Sequence, residues 1–184
     1  MAGPAMPNVP TRRNVKVLTD AIASLESGSS VSAVFLTKRY GAFTIAGTAF
    51  ISESVKTLTV GGRSIEQNLK PHKSLQALNL DAAPHDPATG EDGSAAMMPR
   101  VQHGDLVSAR FVDSAYGPFT VTGVSVASTV GDVVLVGGWF VSQAGSAAPR
   151  LVAVEVLAEN GSHEYPLPPR IISWGDDAEG ATEY

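Results

Sequence analysis

The sequence predicts a mainly β protein made of two tandem, duplicated small β-barrels of the SH3-like or OB-like kind, preceded by a short N-terminal α-helix. Three observations carry this prediction. The segment Gly28 to Gly62 matches Gly104 to Gly138 at a constant offset of 76, with 14 identities over 35 ungapped positions. Each copy breaks into short runs of β-branched and aromatic residues separated by turn residues. A double glycine, Gly61-Gly62 and Gly137-Gly138, recurs inside each strand pattern, where it reads as a bend at a barrel corner. A closed barrel is one way for a small β domain to hide its strand edges.

Positions 1–27 form an N-terminal arm and helix. Val15, Leu18, Ile22 and Leu25 share one face of a helix over Asn14 to Glu26, which Gly28 ends. Positions 28–81 are the first β repeat, with strands expected at Val31 to Thr37, Phe43 to Ser52, Thr57 to Val60 and Leu75 to Leu80. Arg63, Ser64, Glu66, Gln67 and Asn68 stand where the second copy has apolar residues, so this stretch reads as looped or helical. Positions 82–100, rich in Ala, Pro, Gly and Asp, have the composition of a linker or long loop. Positions 101–175 are the second β repeat, with strands at Leu106 to Val112, Phe119 to Ala127, Val133 to Ser142 and Leu151 to Leu157. Val130-Gly131-Asp132 is its expected hairpin turn, and Arg170 to Trp174 adds a C-terminal strand. Positions 176–184 are an acidic tail.

Composition excludes several classes of function. The chain has 184 residues and no cysteine, so it has no disulfide framework, no thiolate metal site and no cysteine nucleophile. No apolar stretch is long enough to span a membrane, and the N-terminus lacks the apolar core of a secretion signal, which together point to a cytoplasmic protein without a membrane partner. His72, His85, His103 and His163 are isolated, and no phosphate-binding glycine loop or nucleophile elbow is present. No catalytic residue, metal ligand or cofactor site is therefore assigned, and the chain reads as a non-enzyme.

Net charge is −5, but it is unevenly spread. Gly28 to Asp81 carries +3, whereas Val101 to Tyr184 carries −7. The repeated Tyr-Gly-x-Phe-Thr motif places aromatics around a flexible glycine twice. Candidate ligand- or partner-binding residues are therefore Lys38, Arg39, Tyr40 and Phe43 in the first repeat and Tyr116 and Phe119 in the second. The alternative for the motif is a fold-defining turn. Val133 to Val141 is apolar on both strand faces and needs cover from within the chain or from a second copy, which makes Trp139 and Phe140 candidate interface anchors. These features predict a non-enzymatic binding or assembly module that uses two related surfaces, with a protein partner or a homo-oligomer. Two alternatives are a nucleic-acid-binding regulator acting through the basic first repeat and a structural subunit of a viral or phage particle.

Overall fold

A computed structural model describes residues 12–51, 57–67, 70–80, 100–129, 134–141 and 150–168. The chain begins with α1 (Val15–Ala23), whose N-terminus is capped by Asn14: its side-chain oxygen accepts from Val17 N at 3.2 Å. In the first repeat, β1 (Ser30–Thr37) and β2 (Gly41–Ile51) form a hairpin. β3 (Leu58–Val60) and β4 (Arg63–Ser64) follow, then the short pair β5 (Glu66–Gln67) and β6 (Lys70–Pro71), then β7 (Leu75–Asn79). The second repeat runs β8 (Leu106–Asp113), β9 (Gly117–Val124), β10 (Val126–Ala127), β11 (Val134–Val136), β12 (Trp139–Phe140) and β13 (Arg150–Ala158).

The two copies do not close into separate barrels. They join edge to edge through β2 and β9 into one sheet of order β13-β8-β9-β2-β1-β7, and no sheet closes on itself among the described residues. The junction is a pseudo-twofold. Phe43 lies opposite Gly123, Ile45 opposite Val121 and Gly47 opposite Phe119. Shifting the pair Phe43 and Gly123 by 76 reproduces the pair Phe119 and Gly47, so the axis passes through Ile45 and Val121. A β-carbon at Gly47 would lie 2.8 Å from Phe119 Cβ, and one at Gly123 would lie 2.7 Å from Phe43 Cβ. Each bulky ring therefore needs a glycine across from it, and the same sequence supplies both.

Smaller contacts obey the same symmetry. Gly28 N donates to Ala49 O at 2.8 Å, and Gly104 N donates to Ser125 O at 3.0 Å. Phe35 stacks on Phe43 with centroids 5.4 Å apart, and Phe111 stacks on Phe119 at the same separation. Beyond the shared sheet, β2 continues into pairing with β3 and β4. In the second repeat the equivalent strand breaks at Ser125, and β10, β11 and β12 form their own three-stranded sheet.

Three sequence expectations are corrected here. The double glycines are hairpin turns, not barrel corners: φ is +58 and +85 at Gly61 and Gly62, and +59 and +99 at Gly137 and Gly138. Positive φ at both central residues is what a two-residue type I′ hairpin requires, and its twist matches that of the strands it joins. The run Val133 to Ser142 is accordingly two strands, β11 and β12, folded back at Gly137-Gly138. Arg63 and Ser64 are neither loop nor helix, because they form β4 in the position that Trp139 and Phe140 hold as β12. The guanidinium of Arg63 lies 5.0 Å from the centroids of both Phe35 and Phe43, while Trp139 packs on Phe111 and Phe119 at 6.5 and 5.8 Å. A cation over two rings thus takes the place of an indole against two rings. Residues 130–133, 81–99, 169–184 and 1–11 lie outside the described residues, so the Val130-Gly131-Asp132 turn, the linker, the Arg170 to Trp174 strand and the acidic tail do too.

The core is one cluster shared by both repeats. Alternate positions of the sheet, Val31, Ala33, Phe35, Phe43, Ile45, Val107, Ala109, Phe111, Phe119 and Val121, point to one face, as the period of two demands. Leu58, Val60, Ile65, Leu135, Val136 and Val141 close over that face, with Leu18 from α1. Val134, Leu135, Val136 and Val141, described residues of the second repeat's apolar run, are therefore buried within the chain.

Helix α1 is fastened by Arg13. Its Nε donates to Leu75 O at 2.6 Å, and its terminal nitrogen donates to His72 O at 2.9 Å and to Pro71 O at 3.5 Å. Charged donors to backbone carbonyls are among the stronger hydrogen bonds. Arg13→Ala is expected to cost about 2 kcal/mol and to raise amide exchange selectively over Val15–Ala23, which hydrogen-exchange mass spectrometry would show.

Candidate recognition surface

The two repeats present equivalent hairpin tips at opposite ends of the sheet. In the first, Thr37 Oγ1 accepts from Tyr40 N at 3.0 Å. In the second, Asp113 Oδ1 accepts from Ala115 N at 2.7 Å and from Tyr116 N at 3.2 Å. The turn is the same, but its chemistry differs. Lys38 is exposed and Arg39 half-buried at the first tip, where the second carries exposed Ser114 and Ala115 beside the Asp113 carboxylate.

The repeated aromatics serve the junction between repeats. A β-carbon at Gly137 would lie 2.7 Å from the Phe43 ring, and one at Gly138 would lie 3.4 Å from the Tyr40 ring. Reciprocally, a β-carbon at Gly61 would lie 2.8 Å from the Phe119 ring, and one at Gly62 would lie 3.0 Å from the Tyr116 ring. Each Val-Gly-Gly turn is thus seated on the Tyr-Gly-x-Phe motif of the other repeat. Phe43 and Phe119 keep 0% and 1% of their surface in solvent and Tyr40 keeps 9%, so these rings present edges at most. Tyr116 and Trp139 are half-buried; the side chain of Phe140 lies outside the described residues.

Around Lys38 and Arg39 the fold gathers further cations from distant parts of the chain. Strand β7 pairs with β1 so that Leu75 lies opposite Phe35, and Leu36 N donates to Ser74 O at 2.9 Å. Lys73, exposed, therefore lies beside the end of β1 and the tip that follows it. The bend at 72–74 is fixed by His72, which is buried: Ser74 N donates to its Nδ1 at 3.2 Å, and Ser74 Oγ lies 2.9 Å from the same nitrogen. Arg13, bonded to the carbonyls of this bend, brings Arg12 and Lys16 with it, and Lys70 is exposed on β6. Seven of the chain's 13 Lys and Arg residues, Arg12, Arg13, Lys16, Lys38, Arg39, Lys70 and Lys73, thus lie on three segments that the β1–β7 pairing and the Arg13 hydrogen bonds bring together. The stretches 12–16, 38–39 and 70–73 contain no carboxylate, and Asp20 and Glu66 are the described acidic residues that lie within four positions of them along the chain.

The sequence marks Lys38 and Arg39 as candidates, but nothing in it places Arg12, Arg13, Lys16, Lys70 and Lys73 on neighbouring segments. The signal was there only as a net charge of +3 on the first repeat. The convergence depends on β7 returning beside β1.

The described histidines have structural partners. His103 Nδ1 accepts from Ala127 N at 3.0 Å, and His163 Nε2 lies 2.6 Å from Gly104 O. Asp105 accepts from Gln102 N at 2.9 Å and from Asn160 N at 3.0 Å, which ties the segment after β13 to the turn before β8. Among the described residues no group of three His, Asp or Glu side chains is placed to hold a metal, and no helix is long and apolar enough to cross a membrane. The chain matches no family model, no curated protein and no solved structure.

Proposed function

We propose that the protein is a non-enzymatic binding module whose cationic corner holds the phosphate backbone of a nucleic acid. The observation that carries this reading is the meeting, at one end of the sheet, of three chain segments that bear seven cations, whereas the equivalent tip of the second repeat carries Asp113, Ser114 and Ala115, with Arg150 opposite Val112. The two copies agree along the strands that join them, whereas their hairpin tips differ where they face water. Because the Tyr40 ring is nearly enclosed, base stacking contributes little and the contact is to phosphates. Binding is then independent of sequence and strongly salt-dependent.

A labelled single-stranded oligonucleotide followed by fluorescence anisotropy tests this. With about four phosphates neutralised, affinity is expected to fall roughly 50-fold between about 50 and 200 mM salt. Lys38→Glu with Arg39→Glu, and Lys70→Glu with Lys73→Glu, should each weaken binding at least about tenfold, while Ser114→Glu at the opposite tip should leave it unchanged. An affinity that ignores the charge reversals overturns the proposal. So does equal binding of polyglutamate, which would point to an acidic protein as partner.

A further inference from the structure

The junction between the repeats is built from two copies of one surface, and each copy is complementary to itself. If β2 met a second β2 in the same register, Phe43 would face Gly47, Thr44 would face Ala46 and Ile45 would face Ile45, all residues that already occupy these roles across β2 and β9. The same holds for β9, where Phe119 would face Gly123 and Val121 would face Val121. The glycine turns are equally interchangeable. Gly61-Gly62, now seated on Phe119 and Tyr116, would find Phe43 and Tyr40 of a second chain, because Gly137-Gly138 is already seated on those two residue types. Bulky residues therefore meet glycine at the Phe43, Gly47, Phe119 and Gly123 positions in every combination of the copies.

We infer that a second copy of this chain can replace the internal partner, pairing β2 with β2 and β9 with β9 in a homotypic exchanged dimer. Self-complementary patches of this kind are what twofold dimers use, and exchange of an identical element is a low-cost route to them. The tether sets when this happens. A connection of 19 residues between Leu80 and Arg100 keeps the internal partner covalently tethered, at an effective concentration on the order of 1 mM. The closed monomer therefore dominates in dilute solution, and the exchanged dimer forms when chains fold crowded together. The inference is independent of nucleic-acid binding.

The absence of cysteine makes the test clean. Residues directly opposite in an antiparallel pair have Cα atoms about 4.5 to 5.5 Å apart, which suits a disulfide. Ile45→Cys and Val121→Cys, each alone, have no internal cysteine to meet. Each variant is refolded in reductant at about 1 mM and at a hundredfold lower concentration, then oxidised and weighed by light scattering and non-reducing electrophoresis. The expected result is a disulfide-linked dimer of each variant at the high concentration, reduced at least tenfold at the low one, and retained as a dimer for hours after the disulfide is reduced. Ser114→Cys, on the exposed hairpin tip, controls for collision. Ile45→Cys and Val121→Cys chains that stay monomeric at the high concentration, while the double variant closes its internal disulfide, overturn the inference. Dimers of Ser114→Cys in equal yield do so as well.

Discussion

Gly137→Ala is expected to destabilise the protein by about 3 kcal/mol, although it adds a single methyl group. Two costs combine. Gly137 has φ +59, a conformation that penalises a β-carbon by about 1 kcal/mol. The added carbon would also lie 2.7 Å from the Phe43 ring, which is fully buried against Phe35 and the Arg63 guanidinium and so has nowhere to move. Overpacking of this kind costs about 1 to 3 kcal/mol. Gly117→Ala separates the two costs, since its φ is +70 but nothing lies within 4 Å of the new carbon. It should lose only about 1 kcal/mol in urea unfolding. Adding Phe43→Leu to Gly137→Ala should cost less than the sum of the two single changes, because the smaller side chain relieves the clash. Additive losses would mean that the turn is not seated on that ring.

Phe119→Ala should be still more damaging, at about 4 kcal/mol. The ring stacks on Phe111 at 5.4 Å, meets the Trp139 indole edge-on at 5.8 Å, fills the space opposite Gly47 and supports Gly61. Its removal opens a cavity at the centre of a core shared by both repeats. The loss should therefore appear as one cooperative transition at a lower urea midpoint, with Trp139 fluorescence and far-ultraviolet circular dichroism moving together. A change under 1 kcal/mol, or two separated transitions, would contradict a single core.

Local pattern disclosed a good part of this architecture. The offset of 76 marked the copies and the runs around Val31, Phe43, Leu106 and Phe119 marked the four central strands, while the apolar spacing marked α1 but set its end too late and its face too wide, since the helix stops at Ala23 and Val15 is exposed. What the pattern could not state is which strand lies beside which. Gly47 and Gly123 were visible as repeated glycines, but their meaning depends on Phe119 and Phe43 lying opposite, across the junction of the copies. A barrel was therefore expected where the chain instead joins two half-sheets. Arg63 misled for a similar reason. A charged residue in a strand position argues against a strand until two stacked phenylalanines are known to lie beneath it. The cationic corner was hidden by sequence distance, because residues 12–16, 38–39 and 70–73 meet only after β7 has returned to β1.

The reciprocal seating of the glycine turns also bears on the order in which the protein is made. Synthesis completes Ser30–Thr37 and Gly41–Ile51 well before Gly117–Val124 exists. During that interval the first half has an apolar face with no turn to close over Phe43, and β2 lacks its partner strand along Phe43–Gly47. Neighbouring ribosomes on one message hold this same unfinished half close together. The ribosome is thus the place where a strand that accepts its own copy is most exposed to one, and the speed with which the second half emerges decides between a self-contained chain and a shared one.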